Sequence, residues 1–314
     1  MFPSLTPHVL HFIFGLYGLL VLASGIAHLL AALRPRKDYT ELKQRVRSWW
    51  VIIVIFTGSI AGPNSVKLGF LAFVSFLALR EYLSLIPTRR ADRRILFWCY
   101  LAVPLQYYWI SIGWYSMFLI FIPVYIFLFL PLRMVTIGET KGFLNAAGTL
   151  HWGMMTTVFC LSHIAYLFML PAQKNPAGGG PGLVLFIVVL TELNDVAQYC
   201  WGKMLGRHKV IPKVSPNKTV EGLLGGVVTT TLLSWLTAPY LISLSAPKSL
   251  IAGIIISTAG FIGDVVISAI KRDIGVKDAG SILPGHGGLL DRVDSLTYTA
   301  PLFFHCMKYL YDRM

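Results

Sequence analysis

The stretch that decides the fold is Ser268–Asp294, SAIKRDIGVKDAGSILPGHGGLLDRVD. Four basic residues and four aspartates crowd into it, and a long apolar run lies on either side. Aspartates set this close repel one another unless cations sit among them. Lys271, Arg272, Lys277 and Arg292 supply part of that balance. A phosphate group carrying a divalent cation would use both signs together, with carboxylates on the metal and Lys/Arg on the phosphate oxygens. The apolar flanks make the stretch a loop at a membrane surface. Read outward from it, the chain is an all-α, polytopic transmembrane protein.

Composition agrees. The 314 residues are 55% hydrophobic and 13% charged, whereas a soluble domain carries nearer a quarter charged residues. The net charge of +13 raises the question of nucleic acid. The basic residues, however, fall between apolar runs and form no surface interleaved with aromatics, so no nucleic-acid partner is expected. Cys99, Cys160, Cys200 and Cys306 are scattered through apolar segments with no C-x-x-C pair, and read as small buried hydrophobes. The first apolar run lacks a basic n-region and is long enough to remain as a span, so it does not read as a cleaved signal peptide.

Apolar runs at about 9–33, 49–63, 68–87, 151–171, 182–201, 222–243, 249–270 and 295–311 are candidate spans. Between Ile95 and Leu132 there is no charge at all. As one helix those 38 residues would extend about 57 Å, nearly twice the hydrocarbon core, so a turn near Gly113 must divide them into two spans. Residues 133–150, with Arg133, Glu139 and Lys141, read as an interfacial segment on the inner face. The sum is about nine or ten spans with both ends outside; 49–63 is the one in question. Of the 27 Lys and Arg, 21 fall in the loops this topology places inside, as the positive-inside rule requires. Arg80 and Glu81, near the inner end of a span, would pair or reach the interface. There is no internal repeat. The chain divides coarsely into N-terminal helices with the interfacial segment, 1–150, and a C-terminal transmembrane region that carries the chemistry, 151–314.

Two polar clusters share the inner face. Asp264 and Ser268 are four residues apart on one helix face, with Lys271 about a turn further on. Asp264 lies roughly 10 Å inside its span at 1.5 Å per residue, where an ionised carboxylate without a partner is costly. Asp291 and Asp294 open the last span; capping a helix N-terminus would suffice for them alone, but with Asp264 and Asp278 close in sequence two or three carboxylates around Mg²⁺ fit better. Glycines on both sides of His286 either admit a ligand close to the backbone or simply make a tight turn with a solvated histidine. The earlier cluster holds Glu192, Asp195 and Tyr199, then Ser215, Asn217, Lys218 and Thr219 just before the next helix. Free N–H groups at a helix start with a lysine beside them make a phosphate site, and capping by Ser215 or Thr219 is the plainer alternative. The Walker A spacing, a GxGxxG, a zinc-like Cys/His set and the Gly-x-Ser-x-Gly elbow are all absent.

At residues 268–294 the pattern S-x-I-K-R-x4-K-D-x-G-x2-L-P-G-H-G-G-L-x-D-R-V-D closely resembles the signature of the CDP-diacylglycerol synthases (phosphatidate cytidylyltransferases). The resemblance continues in Asp195–Lys203, D-x3-Y-x2-G-K, and in SPNKTVEG; it covers about residues 192–295. One departure is Gln198, where the pattern calls for a small residue, and it bears on which lipid is the acceptor. The resemblance implies transfer of CMP from CTP to phosphatidate, giving CDP-diacylglycerol and pyrophosphate, for phospholipid biosynthesis. By carry-over, Asp264, Asp291 and Asp294 hold Mg²⁺, with Asp195 and Asp278 as further candidates and a monovalent cation as a second ion. Lys218, Lys271, Arg272, Lys277 and Arg292 neutralise phosphates. Ser268, His286, Ser215, Asn217, Thr219 and Tyr199 contact the substrates; Asp264, Asp291, Lys271 and Lys277 are the catalytic set. A homodimer is implied by resemblance only. A site reached by a soluble nucleotide and by a bilayer lipid suits the cytoplasmic face of a bacterial inner membrane, which the lack of long soluble extensions also favours.

Two other readings use the same residues. A CTP-dependent polyprenol or phytol-type kinase would attack the γ-phosphorus and release CDP. A cation-coupled transporter would use intramembrane Asp264 and Asp195 as an ion path, but would place its charges near mid-membrane, whereas these crowd the inner face among Lys and Arg. A CDP-alcohol phosphotransferase is set aside because its D-G-x2-A-R motif is absent.

Overall fold

Inside a bilayer each segment must satisfy its own backbone N–H and C=O groups, which leaves the helix as the solution for runs like these. The computed structural model describes residues 5–33, 38–87, 89, 92–280 and 287–312. Ten long helices lie among them: α1 (Pro7–Leu33), α2 (Thr40–Ala61), α3 (Asn64–Leu85), α4 (Arg93–Ser111), α5 (Tyr115–Val135), α6 (Phe143–Met169), α7 (Gly179–Leu205), α8 (Val220–Leu241), α9 (Ala246–Asp273) and α10 (Leu290–Asp312). Seven of them, α1, α3 and α5 to α9, are long and apolar enough to cross a membrane. The other three carry charge at their starts: TELKQRVR in α2, Arg93 and Arg94 in α4, and Asp291, Arg292 and Asp294 in α10. The turn expected near Gly113 is there, with Gly113 at φ +70° between α4 and α5.

Three local expectations are corrected. Residues 133–150 are no separate interfacial segment: α5 runs on to Val135, a short connection turns at Gly142 (φ +70°), and Phe143 already belongs to α6. The basic stretch after α1 is helical from Thr40, so α2 starts well before its apolar run. Ser215–Thr219 is not merely a helix entrance but strand β2, paired antiparallel with β1 (Lys209–Ile211) in register Lys209↔Thr219 and Ile211↔Ser215. Glu81 also departs from expectation. It is buried at 5% exposure while Arg80 is exposed.

Hydrogen bonds between connections sort the chain ends into two faces. On one, Thr6 Oγ1 donates to the Ala177 carbonyl at 2.8 Å, Asn175 Nδ2 to the Leu241 carbonyl at 2.9 Å, and Lys174 Nζ to the Tyr311 carbonyl at 2.6 Å. On the other, the Arg89 guanidinium donates to the carbonyls of Glu139 (3.1 Å) and Lys141 (2.6 Å), and Arg272 Nε to the Val214 carbonyl at 3.3 Å. Four of the loops that the positive-inside rule groups together are thus joined in two pairs, while Thr6 and Tyr311, near the two described chain ends, share bonds with the 174–177 connection.

The helices α7 to α10 form the tightest part of the bundle. Small residues let their backbones approach closely, which is how helices gain contact where the surrounding lipid offers no hydrophobic drive. A Cβ on Gly226 of α8 would lie 2.4 Å from Gln198 Cγ of α7, and one on Gly263 of α9 would lie 2.6 Å from the Asp294 carbonyl of α10. Asn194 of α7 donates to the Ser257 carbonyl of α9 at 3.2 Å, so α7, α9 and α10 meet where their acidic residues lie.

The two-face topology has a direct test. In a background with the native cysteines replaced, single cysteines at Thr140 and Lys213, both exposed, are expected to react with an impermeant thiol reagent from the same side of sealed vesicles. A cysteine at the exposed Gln173 is expected to react only from the other side.

Candidate active site

A lysine on a short hairpin is the centre of the site. Thr219 ends β2 and caps α8, its Oγ1 accepting from Gly222 N–H at 3.1 Å, so the hairpin enters the helix in a fixed direction. That fixes the preceding residue, Lys218, against the mouths of α7, α9 and α10. Its ammonium lies 2.6 Å from Asp264 Oδ2 and donates to Gln198 Oε1 at 3.0 Å, and it sits 5.6 Å from the centre of the Phe261 ring. Burial by itself pulls the Lys218 pKa down, but the carboxylates of Asp264, Asp195 and Asp294 outweigh it and hold the pKa above the ordinary lysine value.

Three helices supply those carboxylates. Asp264 of α9 accepts from Ser268 Oγ through Oδ1 at 3.2 Å. Asp195 of α7 accepts from Ser295 Oγ at 2.8 Å through Oδ2, while its Oδ1 is buried with no hydrogen-bond partner. Asp294 of α10, 8% exposed, accepts from the Ser295 N–H at 2.7 Å. One ammonium therefore faces three acids, and one acid oxygen has no partner. Among the described residues no three such groups converge to ligand distance as they stand. Oxygen-only donors, surplus negative charge and an orphaned oxygen are nevertheless what a hard divalent cation such as Mg²⁺ requires.

Asp291 lines the same cavity. The sequence places it among the metal ligands; in the structure Oδ1 accepts from Lys271 Nζ at 2.6 Å, and Oδ2 accepts from the backbone N–H of Ala279 (2.8 Å) and Gly288 (3.0 Å). Both oxygens are engaged in holding the signature loop. Arg272, by contrast, turns from the cavity: besides Val214 it donates to the Val276 carbonyl at 3.0 Å, bracing the hairpin to the loop. Lys277, Asp278 and Arg292 remain at the site, and the Arg292 Nε is buried without a partner. His286 lies outside the described residues.

These groups line a cavity of about 1130 Å³. Acids and bases are mixed around it: Glu192, Asp195, Asp264, Asp278, Asp291 and Asp294 with Lys218, Lys271, Lys277 and Arg292, and Ser215, Asn217 and Tyr199 among the lining. Such a volume exceeds the several hundred Å³ of a typical small-molecule pocket. Its mix of signs suits a polyanion bridged by a cation. The N-terminal half contributes Glu41, Arg45 and Trp49 of α2 to the lining, which no motif announces. Gln198, marked in the sequence only as a departure, is a direct partner of Lys218.

The sequence pattern of the cytidylyltransferase family matches residues 43–310. Over 294 residues the chain is 48% identical to the uncharacterized protein YnbB of Escherichia coli (strain K12), covering 94% of this chain and 96% of that one. It is 39% identical over 155 residues to the phosphatidate cytidylyltransferase of Staphylococcus saprophyticus, and 40% identical over 156 residues to that of Staphylococcus aureus (strain COL). Each of these two matches spans 48% of this chain and 59% of the relative.

If Lys218 offsets the three acids, Lys218→Met is expected to destabilise the detergent-solubilised protein by about 3 kcal/mol, because a partly buried carboxylate loses its cation. Adding Asp264→Asn is expected to restore part of that loss, read as a partial recovery of Tm. The raised Lys218 pKa sets the pH window. The contribution is complete below the ordinary lysine pKa and is lost only as pH rises through the higher folded value, so the difference in Tm is expected to stay flat from about pH 7 to 9.

Proposed function

The chain belongs to the cytidylyltransferase family, and from that premise we propose that it transfers CMP from CTP to the phosphate of phosphatidate, releasing pyrophosphate. The observation that carries this reading is the gathering of Asp195, Asp264 and Asp294 from three helices around the Lys218 ammonium, on the wall of a cavity that Lys271, Lys277 and Arg292 also line. The named Staphylococcus relatives are phosphatidate cytidylyltransferases, and Lys271, Lys277, Asp278, Gly287, Asp291, Arg292 and Asp294 of the signature stretch line this cavity.

In the reaction an oxygen of the lipid phosphate attacks the α-phosphorus of CTP. A P–O bond forms there, the bond from the α-phosphorus to the bridging oxygen breaks, and pyrophosphate leaves. A phosphate monoester has its second pKa near 6, so it is largely a dianion at neutral pH and needs no base to activate it. The chain's own contribution is alignment and charge neutralisation. Asp264, Asp195 and Asp294 would hold Mg²⁺, and what Mg²⁺ supplies when bound is neutralisation of the triphosphate oxygens. Lys218 and Arg292 stand beside the acids to take phosphate oxygens, and Lys277 does so from the loop. Lys271 is fixed by Asp291, so its charge has a set position on the cavity wall. Asp195 and Asp264 lie on helices long and apolar enough to cross a membrane, which suits a substrate held in the bilayer. We place the opening on the cytoplasmic side, where the basic loops lie and where CTP is found.

The test is pyrophosphate release by the purified protein in detergent with CTP, Mg²⁺ and phosphatidate. Lipid-dependent pyrophosphate is expected, with a loss of about 100-fold or more in Asp264→Asn. CDP released from a lipid alcohol without pyrophosphate would assign a kinase instead. Absence of any nucleotide turnover with lipid phosphates or alcohols would end the enzyme reading.

A further inference from the structure

Glu81 lies on α3, far in sequence from every residue assigned to the site above. Its side chain is 5% exposed, and Oε2 accepts from the N–H of Leu290, the first residue of α10, at 2.7 Å. Oε1 is buried and has no hydrogen-bond partner. The carboxylate lies flat against two glycines of the signature. A Cβ on Gly280 would come within 2.8 Å of Oε1; one on Gly288 would come within 2.7 Å of Oε2 and 2.9 Å of Oε1. Neither glycine has a positive φ, so what each position needs is space for the carboxylate and not an unusual backbone.

Asp291 completes the arrangement from the other side. It accepts from Ala279 and Gly288 N–H, so between them the two carboxylates take the N–H groups of Ala279, Gly288 and Leu290. The two ends of the loop are thereby held side by side: Ala279–Gly280 against Gly288–Leu290. Lys277, Asp278 and Gly287, all of which line the cavity, are next to these pinned positions. An acid at the start of α10 also suits the positive end of the helix dipole.

We propose that Glu81 is a positioning residue for the reaction: its buried carboxylate fixes both ends of the signature loop as one wall of the site. The N-terminal helices thereby set the geometry of a site whose phosphate- and cation-binding residues all lie in the C-terminal half. The kinetic part of this claim rests on the cytidylyltransferase reading; the structural part stands on the contacts alone.

Glu81→Ala, Gly280→Ala and the double variant test it. Each single change is expected to lower kcat about tenfold or more by misplacing the wall, with KM for CTP within about threefold. The double variant should be less impaired than the product of the singles, because removing the carboxylate gives the new methyl group room. Glu81→Gln, which keeps an acceptor for Leu290, should retain most of the activity, and exposed Arg80→Ala should behave as wild type. Hydrogen exchange over 287–296 should speed up in Glu81→Ala while that of α8 stays unchanged. Additive singles, or unchanged exchange at Leu290, would overturn the proposal. Should Glu81→Ala fail to fold, Glu81→Gln and Gly280→Ala carry the same comparison. If wild type shows no CTP turnover, the functional reading fails while the exchange rates and the non-additivity in Tm still decide the positioning claim.

Discussion

Like charges gathered in a partly dry site repel strongly: two carboxylates 4 Å apart at an effective dielectric constant near 20 cost about 4 kcal/mol. This chain brings Asp195, Asp264 and Asp294 together from three helices and sets one lysine among them. Much of the surrounding structure follows from that constraint. The hairpin β1–β2 exists to deliver Lys218, and Thr219 fixes its exit by capping α8. Gly263 allows α9 to lie against the α10 backbone at Asp294. Lys271 acts on Asp294 and Arg292 on Asp195 as well, yet one oxygen of Asp195 is left without a partner. Acids and bases mixed around one cavity suit a polyphosphate that arrives with its own cation.

A second group of residues holds this arrangement in place. Asp291 and Glu81 share the backbone N–H groups at the two ends of the signature loop, and Arg272 ties that loop to the hairpin. Several charged residues of the signature are thus occupied with the loop itself. Asp195 keeps one oxygen without a partner, whereas both oxygens of Asp264 and of Asp291 accept from the protein, and all three acids line the cavity.

The apolar runs were legible because a bilayer makes length and hydropathy nearly sufficient, and the turn at Gly113 followed from length alone. Asp264 and Asp195 were legible because a carboxylate inside an apolar helix is costly and needs a reason. Residues 133–150 misled because their charges suggested a surface segment, although only the short connection before Phe143 leaves the helices. The hairpin gave no signal, since SPNKT lacks the alternating apolar pattern of a strand. The link from Glu81 to Leu290 joins residues 209 apart, and nothing local in either segment foretells it. Gly280 drew no reading in the sequence, and the glycines after His286 read as ligand approach or a tight turn; at Gly280 and Gly288 the structure shows room for a carboxylate.

The central claim is that the bond broken in CTP is the one at the α-phosphorus. The most direct measurement gives the membrane-bound protein CTP labelled with one phosphorus isotope at the α position and another at the γ position, together with phosphatidate. The account predicts the α label in the lipid and the γ label in free pyrophosphate. Recovery of the γ label in the lipid, with the α label left in CDP, would contradict it.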